Sequence, residues 1–178
     1  KDESGNIIPG LATRGEVINN TTVRFFLRND VYFHNGEKLT AEDVRFSIQR
    51  ATQKPSSAAI FKGFDGEKTK VVDDYTIDIV TKGPFAGLYN YTCSSRGNII
   101  SKKALQEMGD AKFGRNPIGS GPFMFSAWRT GTALKLVRNE KSWGKKPAFS
   151  TMIPKFVSAT AATAIDVERG NADTICDP

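Results

Sequence analysis

The residues of this 178-residue chain that could do covalent chemistry are few: one histidine, two cysteines and scattered serines. A serine nucleophile needs a base within hydrogen-bond reach and an acid that orients the base. His34 is the sole imidazole, it stands in the tight-turn sequence His34-Asn35-Gly36, and no Gly-x-Ser-x-Gly elbow occurs. Ser101 and Lys102 could form a Ser-Lys pair, but neighbours on a helix face different ways. Cys93 and Cys176 allow one internal disulfide at most; an exporting compartment would permit it, and the alternative is two separate thiols. One histidine and two distant cysteines give no cluster at ligand spacing, so neither a metal nor a cofactor is expected. Gly119-Ser120-Gly121 lacks the Lys-Ser/Thr of a phosphate-binding loop and runs into Pro122 and a strand, so these glycines read as structural, permitting a sharp reversal or close backbone packing. No catalytic residue is assigned, and the chain is expected not to be an enzyme.

Composition narrows the partners. With 39% hydrophobic and 25% charged residues the chain is ordinary for a soluble globular protein of one or two domains. No apolar run approaches the length that spans a bilayer. The opening KDESGNIIPG has no apolar core of a signal peptide, so an export signal or lipid anchor would lie outside this stretch. The net charge of +6 comes from 25 basic residues spread along the chain, densest as the pairs Lys102-Lys103 and Lys145-Lys146. Nucleic-acid binding needs a clustered stripe or patch and is not expected. A stand-alone module for an anionic partner is the competing class, marked by a steep loss of affinity with salt. Asn19, Asn20 and Asn90 fit the glycosylation sequon, a pattern short enough to recur by chance; they read as polar loops.

Short strands and capped helices must position these residues. Val23 to Arg28 reads as a strand, and Val31-Tyr32-Phe33 as a second extended run ending at the Asn35-Gly36 turn. Thr40 caps a helix with Asp43 as capping-box partner, and Val44, Ile48 and Ala51 form its apolar stripe. Gln53 to Lys70 is irregular, anchored by Ile60, Phe61 and Phe64. Tyr75 to Thr81 alternates as a strand after a turn, and Pro84 opens a helix through Tyr91. Ser101 caps a helix through Met108 that Gly109 stops. Ala133 to Arg138 is a strand, Asn139 to Pro147 closes a hairpin, and Met152 to Val157 is a further strand. Thr160 caps a helix carrying Ala161, Ala164, Ile165 and Glu168, Gly170 stops it, and Ala172 to Cys176 is a last strand. Strand, helix, strand suggests a right-handed crossover on a mostly parallel sheet, whose ligands sit beyond the C-terminal strand ends. That directs attention to Thr174, Cys176 and Asp177.

Several stretches match one family pattern. Leu27, Arg28, Val31, Phe33, His34, Gly36, Leu39 to Val44, Phe46, Ser47 and Arg50 carry the first. Val72, Asp74, Thr76, Ile77, Ile79, Pro84 and Phe85 carry a second, and Asn116-Pro117 to Phe123, Phe125 and Trp128 a third. Asn139, Trp143, Gly144, Lys146 and Pro147 follow, then Gly170, Ala172, Asp173 and Ile175. Together they resemble the extracytoplasmic solute-binding proteins of peptide and nickel ABC importers, family 5. Pro9 to Ala12 and Glu16 also match, but Arg14-Gly15 replaces the usual Ser-Trp and removes a large core aromatic.

The resemblance implies a mixed α/β (α+β) fold of the periplasmic-binding-protein-like type II. It implies a small extra domain over 1–115 and an incomplete portion of the first ligand-binding lobe over 116–178, with the second lobe absent. Arg28, Gly36, Thr40, Asp43, Gly119, Gly121, Trp128 and Trp143 would be its structural residues. Ser95 and Arg96 would face the ligand cleft, the alternative being a solvated loop. It further implies a monomeric receptor, periplasmic or at the cell surface, soluble or lipid-anchored. Such a receptor captures oligopeptides or dipeptides, or else a nickel chelate, haem or an oligosaccharide, and hands them to an ABC permease. One wall of a two-lobed site is expected to bind weakly or not at all.

Overall fold

A computed structural model describes residues 4–93, 97–157 and 160–174. Its first layer is an antiparallel sheet of β1 (Ala12–Asn19), β2 (Thr22–Leu27), β3 (Lys70–Asp73) and β4 (Thr76–Val80), in the order β1-β2-β4-β3. The Asn19 side chain accepts the Thr21 N–H at 2.9 Å and so shapes the turn between β1 and β2. Alternation along β2 sends Phe25 into the core. On the other face Arg24 lies opposite Asp78 and donates to both its oxygens, at 2.7 and 2.9 Å. The neighbouring Phe26 lies 3.5 Å beneath the Arg14 guanidinium.

Helix α1 (Ala41–Gln53) covers the apolar face of this sheet, burying Val44 and Ile48 against Phe25, Ile77 and Ile79. Ala51 extends the stripe half-buried. The capping box forms: the Asp43 carboxylate accepts the Thr40 N–H at 3.0 Å. Its other oxygen accepts the Lys102 N–H at 3.0 Å, so one carboxylate holds the starts of two helices. Phe61 and Phe64 anchor the stretch after α1 as expected, with a short helix, α2 (Pro55–Ala58), between.

Several element boundaries differ from the sequence reading. Helix α3 (Leu88–Thr92) starts beyond Pro84, because Phe85 is drawn onto Phe64 and Tyr91 and the first helical N–H, that of Leu88, reaches the Phe85 carbonyl. Ser101 caps α4 (Lys102–Arg115) by accepting the Ala104 N–H at 3.0 Å. As expected, Gly109 (φ +73, ψ 161) is not helical and stops the first segment of α4; a second helical segment follows across the kink and buries Phe113. The second sheet is β5 (Phe123–Arg129), β6 (Ala133–Arg138) and β7 (Thr151–Met152), in that order. Gly131 closes the β5–β6 hairpin at φ +71, so Asn139 to Pro147 instead leads from β6 to β7. Pro154, which has no N–H, cuts β7 to two residues, although its carbonyl still accepts from Leu134.

Both sheets are antiparallel among the described residues, so the parallel crossover is not seen. Helix α5 (Thr160–Glu168) ends at Gly170, φ +70, as expected. Ala172 to Thr174 are irregular rather than a strand, and Ile175 to Pro178 lie outside the described residues.

Glu42 joins the two long helices: it accepts from Arg45 at 2.8 Å and from Lys102 at 2.7 Å. Bonding to Arg45 first and Lys102 next holds its carboxyl down from 4.5 to about 2. A folded value below the unfolded one stabilises above the unfolded value and is lost as pH falls through the folded one. Denaturant titrations in acid should show stability falling as pH drops from about 4.5 towards about 2. Glu42→Gln should fall less steeply there, and an unchanged slope would remove this helix pairing from the account.

Candidate functional site

The two sheets meet where the loop after β2 touches the crossover before β5. Val31, Phe33 and Leu39 bury their side chains, which plugs the loop into the first core. Its reversal needs Gly36, at φ +86, and the Asn35 side-chain oxygen Oδ1 accepts the Glu37 N–H at 3.2 Å. Asn35 itself has no positive φ, so one glycine makes the turn. Glu37 then accepts from Ser101 at 3.1 Å and from Lys103 at 2.7 Å. Lys103, then Asn35 and Ser101, hold the Glu37 carboxyl below its ordinary value.

So fixed, His34 holds the crossover three times. Its backbone N–H donates to the Gly119 carbonyl at 2.8 Å, the Gly119 N–H donates to Nδ1 at 3.3 Å, and Nε2 bonds the Gly121 carbonyl at 3.0 Å. An N–H aimed at Nδ1 requires a lone pair there, so the ring is neutral with its proton on Nε2. From the other side Asn139 donates to the Gly121 carbonyl at 3.2 Å, and the Trp143 indole N–H donates to the Ser120 carbonyl at 3.1 Å. Arg28 is fixed by Asp30 at 2.6 and 2.8 Å, and its guanidinium lies 5.3 Å from the Trp143 ring centre.

The absent side chains of Gly119 and Gly121 are not what the joint uses. A Cβ on Gly119 would meet His34 only at 3.5 Å, one on Gly121 would meet nothing within 4 Å, and neither φ is positive. Their peptide groups, rather than a missing side chain, are what the joint uses.

Next to this joint a cavity of about 580 Å³ runs under β1 into the first core. Phe61, Phe64 and Ile77, all buried, form its floor, and Ile7, Ile8 and Cys93, all exposed, stand at its mouth with Ser120. Tyr89 takes part of the space that Gly15 leaves: its ring meets Phe25 edge-on at 5.5 Å, and its hydroxyl lies 2.8 Å from where a Gly15 Cβ would be. The missing aromatic is thus partly replaced from α3.

Of the residues singled out for ligand contact, Ser95, Arg96, Cys176 and Asp177 lie outside the described residues. Cys93 and Gly97, which flank the first two, line the cavity. Thr174 is exposed beyond α5 and is not part of the cavity lining. Cys93 is an exposed free thiol, and Cys176, its possible disulfide partner, lies outside the described residues. Arg28, Gly36, Gly119, Gly121 and Trp143 come together at the joint, whereas Trp128 is exposed on β5 with the Arg115 guanidinium 5.5 Å from its ring. The sequence reading gave Glu37 no role and Ser47 only a place in the family pattern; the Ser47 hydroxyl accepts the Ile100 N–H at 3.0 Å and donates to the Asp43 backbone carbonyl at 2.7 Å. Among the described residues no group of three or more acidic, His or Cys side chains could hold a metal, and no helix is long and apolar enough to cross a membrane.

Two antiparallel sheets with flanking helices, joined in this way, define a mixed α/β fold of the periplasmic-binding-protein type. The family model for bacterial extracellular solute-binding proteins, family 5 Middle, matches residues 6–178, and the chain belongs to that family. It is 32% identical over 155 residues to the probable D,D-dipeptide-binding periplasmic protein DdpA of Escherichia coli (strain K12), covering 84% of this chain and 30% of that protein. MoaA of A. tumefaciens R10, solved with mannopinic acid, superposes with a TM-score of 0.82 at 30% identity, over 92% of this chain and 34% of that one. NikZ of Campylobacter jejuni, solved with Ni(L-His), gives 0.80 at 25% identity, over 92% and 33%. The chain spans about a third of the length of the relatives it matches.

His34→Ala should lower unfolding stability by about 1–3 kcal/mol, since it strands the Gly119 N–H and leaves the Gly121 carbonyl with Asn139 as its remaining side-chain donor. Hydrogen exchange should then quicken in β5 and β6 more than in β2 and β4. An equal change in both sheets would mean that the histidine does not serve as the joint.

Proposed function

We propose that this chain is part of the solute receptor of an ABC importer, which captures oligopeptides or dipeptides outside the cytoplasmic membrane and delivers them to its permease. The observation that carries this reading is the 32% identity, over most of the chain, to the probable D,D-dipeptide-binding protein. The receptor works as a monomer in the periplasm or, held by a lipid, at the cell surface, and it performs no catalysis. Residues 1–115 form the small mixed domain and residues 116–178 a portion of the first ligand-binding lobe. Burial supports that division: the two apolar clusters draw their buried members from Phe25 to Phe113, and no residue of β5, β6 or β7 is buried. In such receptors lobes close over the ligand by a hinge, so one wall alone binds weakly.

A second reading keeps the receptor and changes the cargo to a non-peptide solute; the neighbours solved with mannopinic acid and Ni(L-His) favour it.

Calorimetric titration of a mixed di- to hexapeptide pool into this chain and into the full-length protein tests the proposal. Binding by the full-length protein alone is expected. Binding by neither moves the cargo to another solute, and tight binding by the chain alone overturns the two-walled site. Binding of anionic polymers with steep salt dependence would favour a stand-alone module instead.

A further inference from the structure

We infer that the His34 joint is an acid-sensitive latch: a proton taken up at Nδ1 parts the crossover from the loop after β2 and so loosens the second sheet from the first. The inference stands whatever the cargo. In the joint Nδ1 receives the Gly119 N–H at 3.3 Å, while Nε2 donates its own proton to the Gly121 carbonyl at 3.0 Å. An imidazolium carries a proton on both nitrogens and keeps no lone pair. Protonation would therefore aim one N–H at another, and turning the ring over brings no acceptor back.

What gives way is set by the other bonds to the crossover. Asn139 and the Trp143 indole hold the Gly121 and Ser120 carbonyls from the second sheet, whereas His34 holds the same stretch from the first. Losing the ring bonds thus frees the crossover together with β5 and leaves each sheet intact.

The charges on the elements around the ring do not replace the lost bond. The crossover itself, Asn116 to Pro122, has no ionisable side chain. The loop of His34 carries Glu37, which meets Lys103 of α4 at 2.7 Å, and the end of β2 carries Arg28 with Asp30 at 2.6 Å. Beyond β6, Glu140 meets Arg138 at 2.8 Å and Lys146 at 3.4 Å, with Lys141 and Lys145 on the same stretch. Each of these carboxylates has a cation of its own. Lys103 first holds the Glu37 carboxyl below its ordinary value, so it stays ionised where an imidazole titrates.

An imidazole in water takes up its proton at about pH 6.5. The parted form can bind that proton and the joined form cannot, so the joint is held above this range and released as pH falls through it. Glu42 responds only in stronger acid, from 4.5 towards about 2.

The test is hydrogen exchange on the full-length protein, followed from about pH 7.5 to about pH 5.5 across the imidazole range and corrected for intrinsic rates. Protection over Asn116 to Phe125 should fall roughly two- to tenfold in acid, as for the loss of one hydrogen bond, while β2 and β4 keep theirs. His34→Asn places an oxygen on the same branch as Nδ1, which still accepts from Gly119 but takes no proton. In that variant protection should not change with pH. Should it not fold, exchange of the His34 Cε1 proton reads the ring's titration in the unmodified protein, and its midpoint should coincide with the loss of protection. Unchanged protection in acid, a loss shared equally by β2 and β4, a loss that persists in His34→Asn, or midpoints that differ would each overturn the inference.

Discussion

An imidazole that bonds one crossover at two points is the interaction on which the placing of the two sheets depends. His34 can do this because it is held from behind: Val31, Phe33 and Leu39 are locked in the first core, and Gly36 turns the loop where no Cβ would be tolerated without strain. On the crossover side the partners are peptide groups of Gly119 and Gly121, which cannot move without moving β5. A neutral ring both accepts and donates, so it satisfies an N–H and a carbonyl together. Asn139 and Trp143 then close the joint from the second sheet, bringing the mouth of the cavity against Ser120.

The two halves differ in how they are stabilised. In the first, α1 and the sheet share a core that includes Phe25, Val44, Ile48, Ile77 and Ile79, and the Asp43 and Glu42 carboxylates fasten α1 to α4. In the second, a three-stranded sheet leaves Phe149, Ile153 and Phe156 half exposed. Strand pairing alone gives such a sheet little independent stability, and packing against another layer normally supplies the rest. The His34 joint is therefore more than a spacer: it ties a weakly buried sheet to a well-buried one.

How far this was legible in the sequence follows from the range of each interaction. The Thr40–Asp43 cap, the Asn19 turn, the Ser101 cap and the Gly170 stop involve residues a few positions apart, and each could be read locally. His34 read as a turn residue, which it is, but its partners lie more than eighty positions on, where no local rule reaches. Gly119 and Gly121 invited an argument from the absent Cβ, while their use lies in the backbone. Pro84 looked like a helix start until the aromatic contacts of Phe85 displaced it. The cavity was foreshadowed only by Gly15, and its depth depends on Tyr89 from a distant helix. Ser95, Arg96, Cys176 and Asp177 had been placed from family likeness and sheet rules rather than from a contact that sequence could specify.

The most direct test of this account is the tautomer of His34, the only histidine in the chain, read from two-bond proton–nitrogen correlations in the imidazole at neutral pH. A joint that accepts from Gly119 and donates to Gly121 predicts a single neutral form with the proton on Nε2 and slow exchange of that proton. A proton on Nδ1, or the averaged pattern of a ring free in water, would contradict it and leave the two sheets without their common anchor.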